Sequence, residues 1–165
     1  MFVSIHEADL FEHSVQIQMP LLQHFQKDFK IVPLLVGPVL SEALEQRIAE
    51  TVVRWSEGRK VLFLSSSDMS HYPDQQTAEN VDRKTLKAVC KLNTETLERS
   101  LDESMSAGHG GLDTALCGEG AVRLMIRASV LAGAAKAVVL DYTNSGEISG
   151  DRSRVVGYGA VAVLK

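Results

Sequence analysis

The chain has 165 residues, of which 45% are hydrophobic and 23% charged, and a net charge of −4. That length suits one domain with a full core, and the composition excludes a disordered or fibrous chain. Lys and Arg are scattered rather than gathered into a patch, which argues against a nucleic-acid partner.

In chain order, Ser14 can cap a helix over residues 15–26, with Pro20 inside it as a bend or break. Residues 30–36 form a short apolar run ending at Gly37-Pro38, which reads as a buried strand, with Pro33 placing it near an edge. Ser41 caps a helix in which Leu44, Ile48, Val52 and Trp55 recur at helical spacing, and Gly58 ends it. Residues 61–64 read as a strand buried on both faces that runs into a polar cluster, Ser65-Ser66-Ser67-Asp68-Met69-Ser70-His71. Helices are expected over residues 77–92 and 95–101, and a loop at Gly108-His109-Gly110-Gly111. After Cys117, an amphipathic helix marked by Ala121, Leu124, Met125, Ala128 and Leu131 stops near Gly133. Residues 137–142 read as a strand, residues 146–153 as a turn, and residues 155–164 as the last strand. Gly157 and Gly159 in that strand leave room for a close neighbour.

Strands alternating with helices predict an α/β domain, a central β-sheet flanked by helices, with its site beyond the carboxyl ends of strands. The 65–71 cluster occupies such a place. No apolar run reaches the length of a membrane span; the longest, residues 132–140, is broken by Gly133 and Lys136. The first seven residues lack the basic segment and long apolar stretch of a signal peptide. Cys90 and Cys117 are too few for a disulfide framework, so a cytoplasmic setting with reduced thiols is expected.

Three places carry candidate chemistry. His13, beside Glu12 at the start of a helix, is either a metal ligand oriented by its neighbour or a surface histidine at a helix cap. Asp68 and His71, three apart after a strand, can pair so that the carboxylate fixes the imidazole tautomer, which suits general acid/base work. The alternative is a turn whose Ser and Asp side chains satisfy backbone groups. Cys117 precedes a helix whose N-terminus stabilises a thiolate. It is a ligand for a soft or borderline metal, a nucleophile with His13, His71 or His109 as base, or a buried inert thiol. Neither G-x-G-x-x-G nor G-x-x-x-x-G-K follows a strand, which removes weight from nucleotide-binding readings.

Four stretches in order carry a resemblance. They are Glu12-His13-Ser14-Val15-Gln16-Ile17-Gln18-Met19-Pro20, Ser66-Ser67-Asp68-Met69-Ser70-His71-Tyr72, Cys117-Gly118-Glu119-Gly120, and Tyr142-Thr143-Asn144-Ser145-Gly146 through Ser149-Gly150-Asp151 to Val155-Val156-Gly157-Tyr158. Together they resemble the Memo family, also called AmmeMemoRadiSam system protein B, over essentially the whole chain. The resemblance implies the fold of the class III extradiol dioxygenases. In those enzymes two histidines and a carboxylate hold Fe(II) and a further histidine moves protons; in Memo-like proteins a cysteine stands in place of the carboxylate. By motif, His13 and Cys117 are then metal ligands, His71 is the acid/base histidine, and Asp68 lies beside it.

Members of that family carry an N-terminal His-Ala-Gly-Tyr-like motif that supplies another ligand, and residues 1–165 contain none. The expectation is a Memo-like domain shortened at its N-terminus, with His71 as the nearest substitute ligand and an exposed edge through which copies self-associate. The resemblance implies an iron(II)- or copper-dependent oxidoreductase acting on a small molecule. Its alternatives are a non-catalytic module that holds metal or peptide in the same pocket, and an inactive truncated member.

Overall fold

The computed structural model describes residues 12–37 and 41–165. Its contacts divide the chain into two units, Met1–Leu35 and Val36–Lys165.

In the first unit, the Glu12 carboxylate accepts the Ser14 N–H at 2.6 Å and caps α1 (His13–Gln16). A break at Ile17 separates it from α2 (Gln18–Phe25). The single helix expected over residues 15–26 is thus two pieces, and Glu12 rather than Ser14 is the cap. Proline's ring crowds the carbonyl four residues before it, and for Pro20 that residue is Gln16, where α1 stops. The strand expected over residues 30–36 does not form. Ile31, Val32 and Leu35 in that run are exposed rather than buried.

In the second unit, Ser41 accepts the Leu44 N–H and caps α3 (Glu42–Ser56). Its buried positions are Glu45 and Ala49, so the inward face is turned from the one expected. Trp55 is exposed, with the Arg59 guanidinium 5.0 Å above its ring. Ala49 packs with Leu124 and Ala128 of α6 (Glu119–Leu131), and Val36, Ile48, Val53 and Phe63 close around them. The opposite flank of α6, Val122 and Ile126, joins the main core with Val81, Leu86 and Val89 of α4 (Gln75–Val89) and Leu97 and Leu101 of α5 (Thr94–Ser106). Asp74 and Asn93 cap α4 and α5 by accepting the Thr77 and Thr96 N–H groups.

Strand β1 (Lys136–Asn144) pairs antiparallel with β2 (Gly157–Leu164), from Lys136 opposite Leu164 to Asn144 opposite Gly157. The register shifts between Val139 and Asp141, which leaves Leu140 as the extra residue. The turn expected between these strands contains a short helix, α7 (Ser145–Ser149). Helix α4 packs on both strands. A Cβ on Gly157 would overlap the Asp82 carboxylate of α4, so the room expected at this glycine is used by that buried acid.

The described residues therefore form an α/β structure with a two-stranded sheet, not the expected central sheet flanked by helices. Residues 61–64 account for much of the difference. They form no strand, make no backbone hydrogen bond to another described residue, and leave Leu62 74% and Leu64 52% exposed. A continuous apolar run reads as a buried strand only when a neighbouring strand supplies the ladder. No described segment does so here.

Candidate metal centre

The segment Asp68 to Tyr72 is held by backbone bonds on two sides. On one side Met69 N–H donates to Gly157 C=O at 2.9 Å, Gly157 N–H to Ser70 C=O at 2.9 Å, and Tyr72 N–H to Val155 C=O at 2.7 Å. On the other side Cys117 N–H donates to Asp68 C=O at 3.2 Å, His71 N–H to Thr114 C=O at 2.9 Å, and Asp113 N–H to His71 C=O at 3.0 Å. Met69 and Ser70 are buried, while Asp68 is exposed and His71 half-buried. Tyr72 turns the chain with φ 72°, a left-handed conformation that costs a non-glycine residue roughly 1–3 kcal/mol. Its N–H bond to Val155 and the Arg154 guanidinium, 4.2 Å over its ring, hold it there.

Cys117 lies two residues before the first residue of α6, and its thiol is exposed rather than buried and inert. The Asp68 N–H points at its sulfur, 3.2 Å away, and the Ser67 hydroxyl oxygen is 3.7 Å from it. The same hydroxyl accepts the Gly118 N–H at 2.8 Å. Gly118 permits this approach, since a Cβ there would stand 2.8 Å from the Ser67 Cβ.

Two chain segments far apart in sequence thus bring Asp68, His71 and Cys117 together, with one ligand atom from each lying within 4.8 Å of the others. Ligands of a tetrahedral ion bonded at about 2.0–2.3 Å lie roughly 3.3–3.8 Å apart, so small side-chain rotations would close the set. His71 Nε2 is 3.4 Å from Asp68 Oδ2, near enough for attraction but misaligned for a hydrogen bond. That nitrogen is buried and has no hydrogen-bond partner among the described residues. An orphaned imidazole nitrogen beside a thiol and a carboxylate fits a cation. Imidazole, thiolate and carboxylate together favour borderline or soft transition metals.

Beneath this group lies a second polar layer. Asp82, fully buried on α4, accepts the Tyr142 O–H at 2.7 Å and the Ser70 N–H at 2.9 Å. Burial raises its carboxyl above the ordinary carboxylate range, opposed by those two hydrogen bonds and the nearby His71. Burial, followed by the bond to Asp82, pushes the Tyr142 phenol up. Burial and then the Asp68 charge raise the Tyr158 phenol.

Asp82 is not among the candidates the sequence offers, because an acid on a charged helix such as residues 77–92 reads as solvated. The signal was its position, four residues from both Ala78 and Leu86 and thus on the apolar face. His13 lies in the first unit, exposed on α1, with Nδ1 3.3 Å from Gln16 Oε1. Its neighbour Glu12 accepts the Ser14 N–H.

A sequence profile of the Memo-like proteins matches residues 3–162. The chain belongs to the Memo family. It is 35% identical over 157 residues to a MEMO1 family protein of Methanosarcina barkeri, an alignment covering 93% of this chain and 56% of that protein. It is 34% identical to a MEMO1 family protein of Ignicoccus hospitalis, covering 94% of this chain and 53% of the relative. A MEMO1 family protein of Archaeoglobus fulgidus is 31% identical, with 93% and 56% covered. This Memo chain spans about half the length of the curated relatives it matches. Among its described residues no helix is long and apolar enough to cross a membrane.

Proposed function

We propose that this Memo-family chain binds a redox-active metal, iron(II) or copper, and serves as a metal-dependent oxidoreductase related to the extradiol dioxygenases. The observation that carries the reading is the convergence of Asp68, His71 and Cys117 within 4.8 Å. Cys117 supplies the thiolate, and the Asp68 N–H is directed at its sulfur. His71 supplies the imidazole, and the bonds of its backbone to Thr114 and Asp113 anchor the main chain from which the ring projects. Asp68 either completes the ligand set or, beside His71, takes up and returns a proton to a bound molecule. The metal, when bound, would supply Lewis acidity and one-electron redox capacity. His13, carried over by the family motif, belongs to the proposal as a further ligand.

The exposure of Asp68 and Cys117 favours a second reading, a metal-holding module that passes its ion on. Reduced Cys117 is required in both cases, in keeping with a cytoplasmic setting. Anaerobic titration of wild type and Cys117→Ala with Fe(II) and with Cu(I) tests the centre. Loss of a thiolate ligand should weaken binding by about a hundredfold or more. Equal affinity of the two proteins would sink the assignment. Metal binding without O2 consumption by the loaded protein, with catechols or other reductants, would select the holding module.

A further inference from the structure

Away from the metal centre, α4 carries Asn80, Lys84 and Lys87 along one flank, with Arg83 beside them, and the half-buried His109 stands over the same place. Together with Val81 they line a hollow of about 380 Å³. Among the described residues no carboxylate belongs to its wall. Nor is His109 carried by a free loop, since its carbonyl accepts the Leu112 N–H and the next residue, Asp113, bonds to His71 C=O.

Arg123 and Arg127 are neutralised by Glu42, Glu45, Glu98 and Glu119. Arg83, Lys84 and Lys87 form no ion pair with any described residue, although the net charge of −4 leaves carboxylates in excess. Three like charges within two helical turns repel one another, at a cost that a bound anion removes. The Arg83 guanidinium lies 5.9 Å over the Tyr142 ring, which steadies one of the three. Guanidinium, two ammonium groups, an imidazole and the Asn80 amide present many donors and match a compact dianion. A bare phosphate would leave much of 380 Å³ empty, and that volume falls in the range of small-ligand sites.

We infer that the hollow between α4 and His109 is an anion site for the phosphoryl group of a phosphorylated small molecule. Lys84, Lys87 and Arg83 carry the charge recognition, and Asn80 and His109 add directed hydrogen bonds. The aliphatic stems of the lysines face the organic part of the ligand.

The test is a titration of the isotope-labelled chain with inorganic phosphate, phenyl phosphate and citrate at constant ionic strength, read by amide chemical shifts. Saturable shifts centred on Asn80, Lys84, Lys87 and His109 are expected. Lys84→Gln/Lys87→Gln should weaken phenyl phosphate by about tenfold or more, whereas Lys60→Gln/Lys165→Gln, the same charge change elsewhere, should not. Tighter binding of phenyl phosphate than phosphate supports a phosphomonoester; equal binding would show that the organic part makes no contact and overturn the assignment to a phosphorylated small molecule. Shifts that fail to saturate, shifts centred elsewhere, equal loss in both double variants, or citrate bound at least as tightly as the phosphates would each overturn the inference.

Discussion

Single residues here are governed by what stands next to them rather than by their type. Asp82 is a carboxylate inside a core of Val81, Leu86 and Ile126, tolerated because Tyr142 and Ser70 donate to it. Its raised folded-state pKa means that the folded chain holds the proton to higher pH than the unfolded chain. The associated stability is present below the ordinary Asp value of about 3.9 and is lost as pH rises through the raised folded value. Asn at this position imitates the protonated acid, accepting from Ser70 and donating to the Tyr142 oxygen. Asp82→Asn should therefore remove that loss and gain on wild type as pH rises from about 4 towards neutrality, measured by urea unfolding at a series of pH values. A difference that stays constant or shrinks across that range would show that Asp82 is not a buried, proton-retaining acid. The site residues Asp68, His71 and Cys117 were legible because their motifs sit at chain turns where side chains are free to converge. Asp82 was not, because a lone acid on a helix is ordinarily a solvated one.

At the level of elements, the Ser41 cap and apolar spacing located α3, α4 and α6, since both signals are local, while α5 runs to Ser106, past the end expected at residue 101. What they could not give was the inward face of α3, which is set by its partner. Glu45, 1% exposed, lies inside because Arg123 and Arg127 reach it from α6, at 3.2 and 3.0 Å. Arg123 Nε approaches it without hydrogen-bond alignment, so Arg127 makes the better-directed contact. Glu45→Ala would leave two largely buried guanidinium groups short of a counter-charge. It should cost about 2–3 kcal/mol, less than for a wholly buried pair because both arginines keep some solvent, and lower the melting temperature by roughly 5–10 °C. An unchanged melting temperature would mean that the α3–α6 contact rests on Ala49, Leu124 and Ala128 alone.

For the whole molecule, family membership and an α/β composition followed from motifs in order along the chain, while the sheet did not. Strand pairing is non-local, and residues 61–64 have the composition of a buried strand without a described neighbour to pair with. The centre needs no such ladder at that place. It rests on the double stitching of residues 68–72 to the segments at 113–117 and 155–157, which brings three unlike ligands to one point. That convergence is the central claim. X-ray absorption at the metal edge of the chain loaded anaerobically with one equivalent of Fe(II) or Cu(I) tests it directly. A sulfur neighbour at about 2.3 Å, with nitrogen or oxygen near 2.0–2.2 Å, and loss of the sulfur shell in Cys117→Ala is the predicted result. A first shell of oxygen and nitrogen alone, unchanged in the variant, would contradict it.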